Sequence, residues 1–261
     1  MLIDLNHGSG FRYEPQPLGL DARLNTLIDE ALIAHNRTQP VRDYLGASRI
    51  GEPCARRLVY EVTHTAIDAD KGFSGQTLRI FAVGHQFEDL TVRWLRLAGF
   101  DLRTHGRDGR QFGFATAGGR MRGHIDGVIV AGPQIGASWP SLWEHKALKS
   151  RSWSDVTRRG VELSKPIYFA QMQLYMAYME LESALFTCLN KDTQELHHEL
   201  VMFRPECAQA LSDKAVDVLR AADAGELPPR IASNADFYLC RWCPFHATCW
   251  GGVLKDYEVA A

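Results

Sequence analysis

The stretch that decides the fold is Gly123–Lys149, GHIDGVIVAGPQIGASWPSLWEHKALK. Residues 121–131 are rich in β-branched side chains and read as a strand. Residues 132–140 carry two Gly and two Pro and read as a loop, and residues 142–148 read as a second strand. The first strand holds one acid, Asp126, and the second holds Glu144 and Lys146. Residues two apart on a strand point to the same face, so Glu144 and Lys146 project together. If the strands pair around the loop, Asp126 comes close to Glu144, and two carboxylates share a half-buried pocket with one ammonium. Carboxylates gathered this way are costly unless something neutralises them. A hard divalent cation does so, and leaves positions for water and a phosphate. Such an ion lowers the pKa of a bound water and offsets charge on a phosphoryl oxygen, while Lys146 can orient the water or steady that charge. A hairpin with an internal salt bridge accounts for the bare D-x17-E-x-K pattern as well.

The arrangement resembles the core of the PD-(D/E)XK nuclease superfamily, with Asp126, Glu144, His145 and Lys146 as its D…E-x-K motif. Ile125, not Pro, precedes the acid, and a long loop fills the gap to Glu144. The resemblance implies Mg²⁺ or Mn²⁺ at the site, with the backbone carbonyl of His145 as a further ligand.

The chain of 261 residues is long enough for one large domain or two small ones. Its 46% apolar and 23% charged composition is that of an ordinary globular protein. The apolar runs are too short for a membrane span, and MLIDLNHGSG at the start does not read as a signal peptide, so the cytoplasm is the expected compartment. A net charge of −2 makes any nucleic-acid surface a local one. No G-x-x-x-x-G-K-[S/T] is present, so no ATP-driven motor is expected in this chain.

Residues 1–17 lack periodicity and read as an arm. Residues 20–35 place Leu20, Leu24, Leu27, Ile28, Ala31 and Leu32 at helical spacing, which predicts a helix covering a core. In residues 48–62, Pro53 suits a helix start and would put Cys54 in the first turn. Residues 81–100 predict an amphipathic helix with Phe87, Leu90, Trp94 and Leu97 on one face and Gly99 at its end. Residues 111–116 read as a strand. After Lys149 comes a basic segment with Arg151, Arg158 and Arg159, suited to phosphates, with Trp153 placed to stack on a base. Residues 166–181 predict a helix on which Gln171 and Tyr175 share a face and Gln173 points elsewhere. Residues 184–190 and 195–203 read as a hairpin, and residues 205–224 as a helix.

Cys240, Cys243 and Cys249 form a C-x2-C-x5-C run, which in a cytosolic chain points to metal rather than disulfides. Three thiolates need a fourth ligand, and Cys54, His246, Cys188 and Cys207 are the candidates. Ligand chemistry alone admits both zinc and iron–sulfur.

Here the resemblance extends over most of the chain, from Ser48 to Trp250. RecB-like nucleases carry a G-x-x-x-E helix, matched by Gly84 and Glu88, and a Q-x-x-x-Y helix, matched by Gln171 and Tyr175. The AddB-type and Cas-four-type branches also carry one Cys before the core and C-x2-C-x5-C after it, which together hold a 4Fe–4S cluster. The match here is Cys54, Cys240, Cys243 and Cys249, leaving Cys188 and Cys207 structural.

The resemblance implies an α/β fold with a restriction-endonuclease-like core, a central mixed sheet flanked by helices, and an iron–sulfur-capped helical lobe. An N-terminal arm and helix (1–47) would precede a nuclease domain (48–261), the lobe being built from residues 48–62 and 230–261. The implied activity is an exonuclease on DNA ends, single-stranded and with 5′→3′ as one option for its polarity, in recombination or CRISPR spacer acquisition. Glu88, Asp126, Glu144 and the His145 carbonyl would hold the metal. Lys146 would orient water, with Gln171 and Tyr175 placing the scissile phosphate. An integrase, recombinase or helicase is the implied kind of partner. An endonuclease of the same superfamily, and an iron–sulfur DNA-binding module that does not cut, are the alternatives.

Overall fold

The computed structural model describes residues 19–69 and 71–254, with side chains described to residue 251. The arm expected over residues 1–17 lies outside these residues, as does the end of the expected lobe. The chain divides into two units. The first holds α1 (Leu20–Arg37) and residues 73–80, where Arg79 pairs with Asp29. The periodicity of α1 was expected to cover a core. Among the described residues α1 buries nothing, and Leu24, Leu27 and Ile28 are exposed.

The second unit carries the remaining elements. In chain order these are β1 (Leu45–Gly46), α2 (Ala55–Val62), α3 (Gly75–Leu97, whose first turns belong to the first unit), β2 (Asp101–Arg103), β3 (Gly113–Thr116), β4 (Met121–His124), β5 (Gly127–Ala131) and β6 (Ser141–Leu148). Then come α4 (Ser150–Ser164), α5 (Pro166–Met179), β7 (Ser183–Asn190), β8 (Leu196–Met202), α6 (Pro205–Ala224), α7 (Tyr238–Arg241) and α8 (His246–Leu254). A five-stranded sheet has the order β2-β5-β6-β7-β8, and only its β6–β7 pair is parallel. A smaller sheet runs β1-β4-β3. The architecture is mixed α/β, with mixed sheets flanked by helices.

Every residue of β7 is buried, as befits a central strand covered on both faces. One face packs Leu142, Phe186 and Cys188 with Val156 of α4 and Met172 and Met176 of α5. The other packs Ile129, Trp143 and Leu185 with Val92 and Leu95 of α3. This corrects the face read for α3: Thr91, Val92 and Leu95 are buried, whereas Leu97 is 85% exposed and Trp94 also reaches solvent. A 3.6-residue period admits neighbouring stripes, and the sheet selects among them.

The single strand expected over 121–131 is two strands in two different sheets. The chain leaves β4, crosses at Ile125–Asp126 and enters β5. At the crossing the backbone bonds sideways: Ile125 N donates to Phe112 O at 3.0 Å, and Gln111 Nε2 donates to Ile125 O at 3.0 Å. Gly127 makes the crossing possible, because a Cβ there would stand 2.9 Å from Arg103 O.

The basic segment after β6 folds as α4. Trp153 is not free to stack on a base: its Nε1 donates to Cys188 O at 3.3 Å and its ring packs on the core. Arg158 and Arg159 both pair with Asp155. Cys54 is the N-cap of α2 and not a first-turn residue, and its N–H donates to Glu52 Oε1 at 3.4 Å. No helix among the described residues is long and apolar enough to cross a membrane.

Candidate functional site

The crossing that breaks the strand sets the site. Asp126, freed from either ladder, turns its carboxylate onto β6, where its Oδ2 accepts from His145 N at 2.8 Å. Gly127 pairs with Trp143, so the acid lies just past the paired register, beside Glu144 and Lys146. Glu144 is fully buried. Its Oε1 accepts from Lys146 Nζ and from Gln171 Nε2, the latter at 2.6 Å. Its Oε2 has no hydrogen-bond partner among the described residues. A buried carboxylate oxygen without a partner is costly, and it marks the side from which a cation would be welcome.

Lys146 Nζ also donates to His145 O at 2.9 Å, stands 3.9 Å from Asp126 Oδ2, and lies 5.3 Å from the centre of the Tyr168 ring. Burial opposes its charge, but Glu144 and Asp126 outweigh burial and hold its pKa above that of an ordinary lysine. Burial, then Asp126, pushes the Glu144 carboxyl up to about 8. Glu88 on α3 is raised to about 7, first by burial and next by Asp126. Three carboxyl groups share one ammonium, so Lys146 stays charged and a proton is retained between Glu144 and Glu88.

The pieces read from the sequence are thus brought together in part. Asp126, Glu144, Lys146 and Gln171 are in direct contact or nearly so. Glu88 is coupled to Asp126 by charge. The donor set is all oxygen, which suits a hard divalent ion. Among the described residues no three His, Cys, Asp or Glu side chains already stand close enough to hold an ion. Tyr175 is 2% exposed, edge-on to Phe114, and shares a hydrogen bond with Ser48. Burial, then Glu144, holds its phenol protonated. Gly123 admits the ring, since a Cβ there would meet Tyr175 Cε1 at 2.9 Å. Gln173 points away, as expected, bonding Met202 O and Arg204 N.

One functional contact was not visible in the sequence. The His145 side chain lies on the other face of β6, where its Nε2 meets Thr91 Oγ1 at 3.2 Å. Thr91 is three residues beyond Glu88, so this contact fastens the Glu88 turn of α3 to the strand carrying Glu144. Burial, then the Lys146 charge, pushes the imidazole down to about 3, so it stays neutral.

The four cysteines read as a set are placed around a common cavity. Cys54, Cys240, Cys243 and Cys249 line one cavity with Arg56, His246 and other neighbours. All four are free thiols. Arg56 Nη1 approaches Cys249 Sγ at 3.9 Å while its Nε donates to Pro228 O at 2.6 Å. Asp68 caps α8 through Ala247 N and Thr248 N, tying the third cysteine's helix to the segment after α2. Cys188 is in β7 and Cys207 in α6, and neither lines this cavity. Four sulfur donors are the set that a four-cysteine group takes, but among the described residues no three of them stand close enough to hold an ion as they are.

No family model matches the sequence, and no curated protein matches it. Solved structures do. An alkaline exonuclease, LHK-Exo from Laribacter hongkongensis, superposes with a TM-score of 0.51 at 15% identity, over 75% of this chain and 93% of that one. The chain shares that exonuclease's fold. The same exonuclease in complex with dAMP gives 0.49 at 16% identity over 70% of this chain and 89% of that one. A protein called SSO0001 gives 0.48 at 15% identity over 87% and 95%.

Proposed function

We propose that this protein is a divalent-metal-dependent DNA nuclease that hydrolyses phosphodiester bonds at strand ends. The observation that carries the reading is the buried Glu144 carboxyl, with one oxygen between Lys146 and Gln171 and the other without a partner, beside Asp126. A structural salt bridge has no need of a third acid held at raised pKa nearby, and Glu88 is one. The fold shared with an alkaline exonuclease supports the same reading.

Asp126, Glu144 and the His145 carbonyl would hold Mg²⁺ or Mn²⁺, with Glu88 facing them from α3. When bound, the ion supplies an activated water and offsets charge on the phosphoryl oxygen. Lys146 stays an ammonium, so it acts as a donor that steadies the growing charge and not as the base. Gln171 fixes Glu144 Oε1, which leaves Oε2 free to face the ion. Gln171 and Tyr175, on one face of α5, would place the scissile phosphate beside Lys146.

Cys54, Cys240, Cys243 and Cys249 would hold a 4Fe–4S cluster. Its chief effect would be mechanical, since it closes a loop between segments far apart in the chain and so removes unfolded-state entropy. A single-strand preference, 5′→3′ polarity, a role in recombination or in CRISPR spacer acquisition, and an integrase, recombinase or helicase partner belong to the same proposal, by analogy.

The test uses anaerobically purified protein with linear and circular DNA, single-stranded and duplex, in Mg²⁺, Mn²⁺ or EDTA. The expected result is metal-dependent shortening of linear DNA with circles left intact. Nicked circles would make it an endonuclease, and DNA binding without cutting in every metal would make it a binding module.

A further inference from the structure

We infer that Arg93 and Arg96 form a phosphate-binding wall for the DNA strand next to the scissile bond, a subsite that deepens the nuclease reading and rests on it. A cleft of about 440 Å³ runs along α3 from the Asp126–Glu88 end of the site to these two arginines. Its opposite wall is polar but carries no acid: Thr104, His105 and Gln111.

Three features decide the ligand's chemistry. First, the charges are graded along α3, with Glu88, Asp89 and Asp126 at one end and the guanidinium groups of Arg93 and Arg96 beyond them. On α3, Arg93 and Arg96 lie five and eight residues beyond Glu88, which is roughly 7.5 and 12 Å along the axis. A stacked strand rises about 3.4 Å per nucleotide, so these distances match phosphates about two to four nucleotides from one held at the acidic end, fewer if the strand is extended.

Second, the guanidinium groups are not held in close ion pairs among the described residues, although Arg96 feels the charge of Asp101. Arg96 is anchored through Nε to Leu102 O at 2.9 Å, which leaves its Nη groups for the cleft. Arg93 reaches only the Asp89 carbonyl, at 3.4 Å. Among the described residues neither makes an ion pair, whereas Arg103, a few residues on, pairs with Asp101. Third, among the described residues the cleft is lined by no Phe, Tyr or Trp. With His105 as its one ring, it would hold chiefly the backbone and read little sequence.

The test measures binding of end-labelled single-stranded oligonucleotides in EDTA, by anisotropy, to wild type, Arg93→Gln, Arg96→Gln and the double variant. Glutamine keeps a donor for Leu102 O, and both positions are exposed, so folding is preserved; circular dichroism checks it. Each oligonucleotide carries one uncharged methylphosphonate linkage, moved stepwise from the end. In wild type, neutralising one of the first four linkages should weaken binding about tenfold, as loss of a charge-assisted contact does. In the double variant the same change should matter less than about twofold, and the slope of log K against log salt should fall by about 1.4, two contacts at about 0.7 each. Equal sensitivity to the neutral linkage in wild type and double variant would overturn the subsite while leaving the nuclease reading intact. Failure of wild type both to bind and to cut DNA would overturn the nuclease reading and the subsite with it.

Discussion

Raising the pH of the metal-free protein should destabilise it, and Glu144 should be the cause. Its carboxyl binds a proton more tightly folded than unfolded, with a pKa raised from 4.5 to about 8. The sign follows directly. This stabilising contribution is fully present below the unfolded value of 4.5 and is lost as pH rises through about 8. A fully buried group displaced that far sets a ceiling of about 5 kcal/mol. Glu88, raised to about 7, shares the proton, so a loss of about 2–4 kcal/mol between pH 5.5 and 9 is the working figure. With a urea m-value of about 2–3 kcal/mol/M, the midpoint should drop by about 1–2 M across that window in EDTA. Glu144→Gln removes the titrating group, so most of that slope should vanish. Saturating Mn²⁺ should abolish it in wild type, because a ligand bound only by the folded, ionised site stabilises it by mass action. A midpoint that is flat or rising with pH in EDTA, or the same slope in wild type and Glu144→Gln, would refute the reasoning.

Other consequences are as direct. His145→Ala removes a buried ring and its bond to Thr91 and should cost about 2–4 kcal/mol by urea unfolding, as large-to-small core changes do; since the carbonyl remains, activity at saturating metal should fall less than apparent metal affinity does. Cys54→Ala should remove absorbance near ~400 nm, the region of iron–sulfur thiolate sites, from anaerobically purified protein; retention of zinc in place of iron would favour His246 as the fourth ligand. Asp68→Ala deletes the α8 cap and should lower stability by about 1 kcal/mol, read by thermal unfolding. Gln171→Leu frees Glu144 Oε1 from its amide and should slow cleavage about tenfold or more with little change in DNA affinity, measured under single-turnover conditions.

The acids and the lysine were legible because their spacing is local: a strand's two-residue period puts Glu144 beside Lys146, and a helix's four-residue turn puts Gln171 beside Tyr175. The cysteine spacing was legible for the same reason, and its distant member, Cys54, came from resemblance and not from physics. What could not be read depends on packing between remote segments. The break at Ile125–Asp126 arises because two sheets meet there, and β-propensity runs straight through it. Trp153 looked available because nothing local shows that Cys188 O would accept its N–H. The buried stripe of α3 was misread by a fraction of a turn. Thr91 drew no notice because its partner, His145, is 54 residues away. The same applies to Arg93 and Arg96, whose cleft exists only once residues 104–111 are folded opposite them.

The measurement that bears most directly on the central claim is single-turnover cleavage of end-labelled single-stranded DNA by wild type and Lys146→Ala, in Mn²⁺ and in EDTA. Wild type should cut in Mn²⁺ and not in EDTA, and the variant should be slower by at least about 100-fold, the scale of losing one donor at a developing oxyanion, while still binding DNA. Equal rates for the two proteins, or cleavage that persists in EDTA, would contradict an active site built from Asp126, Glu144 and Lys146.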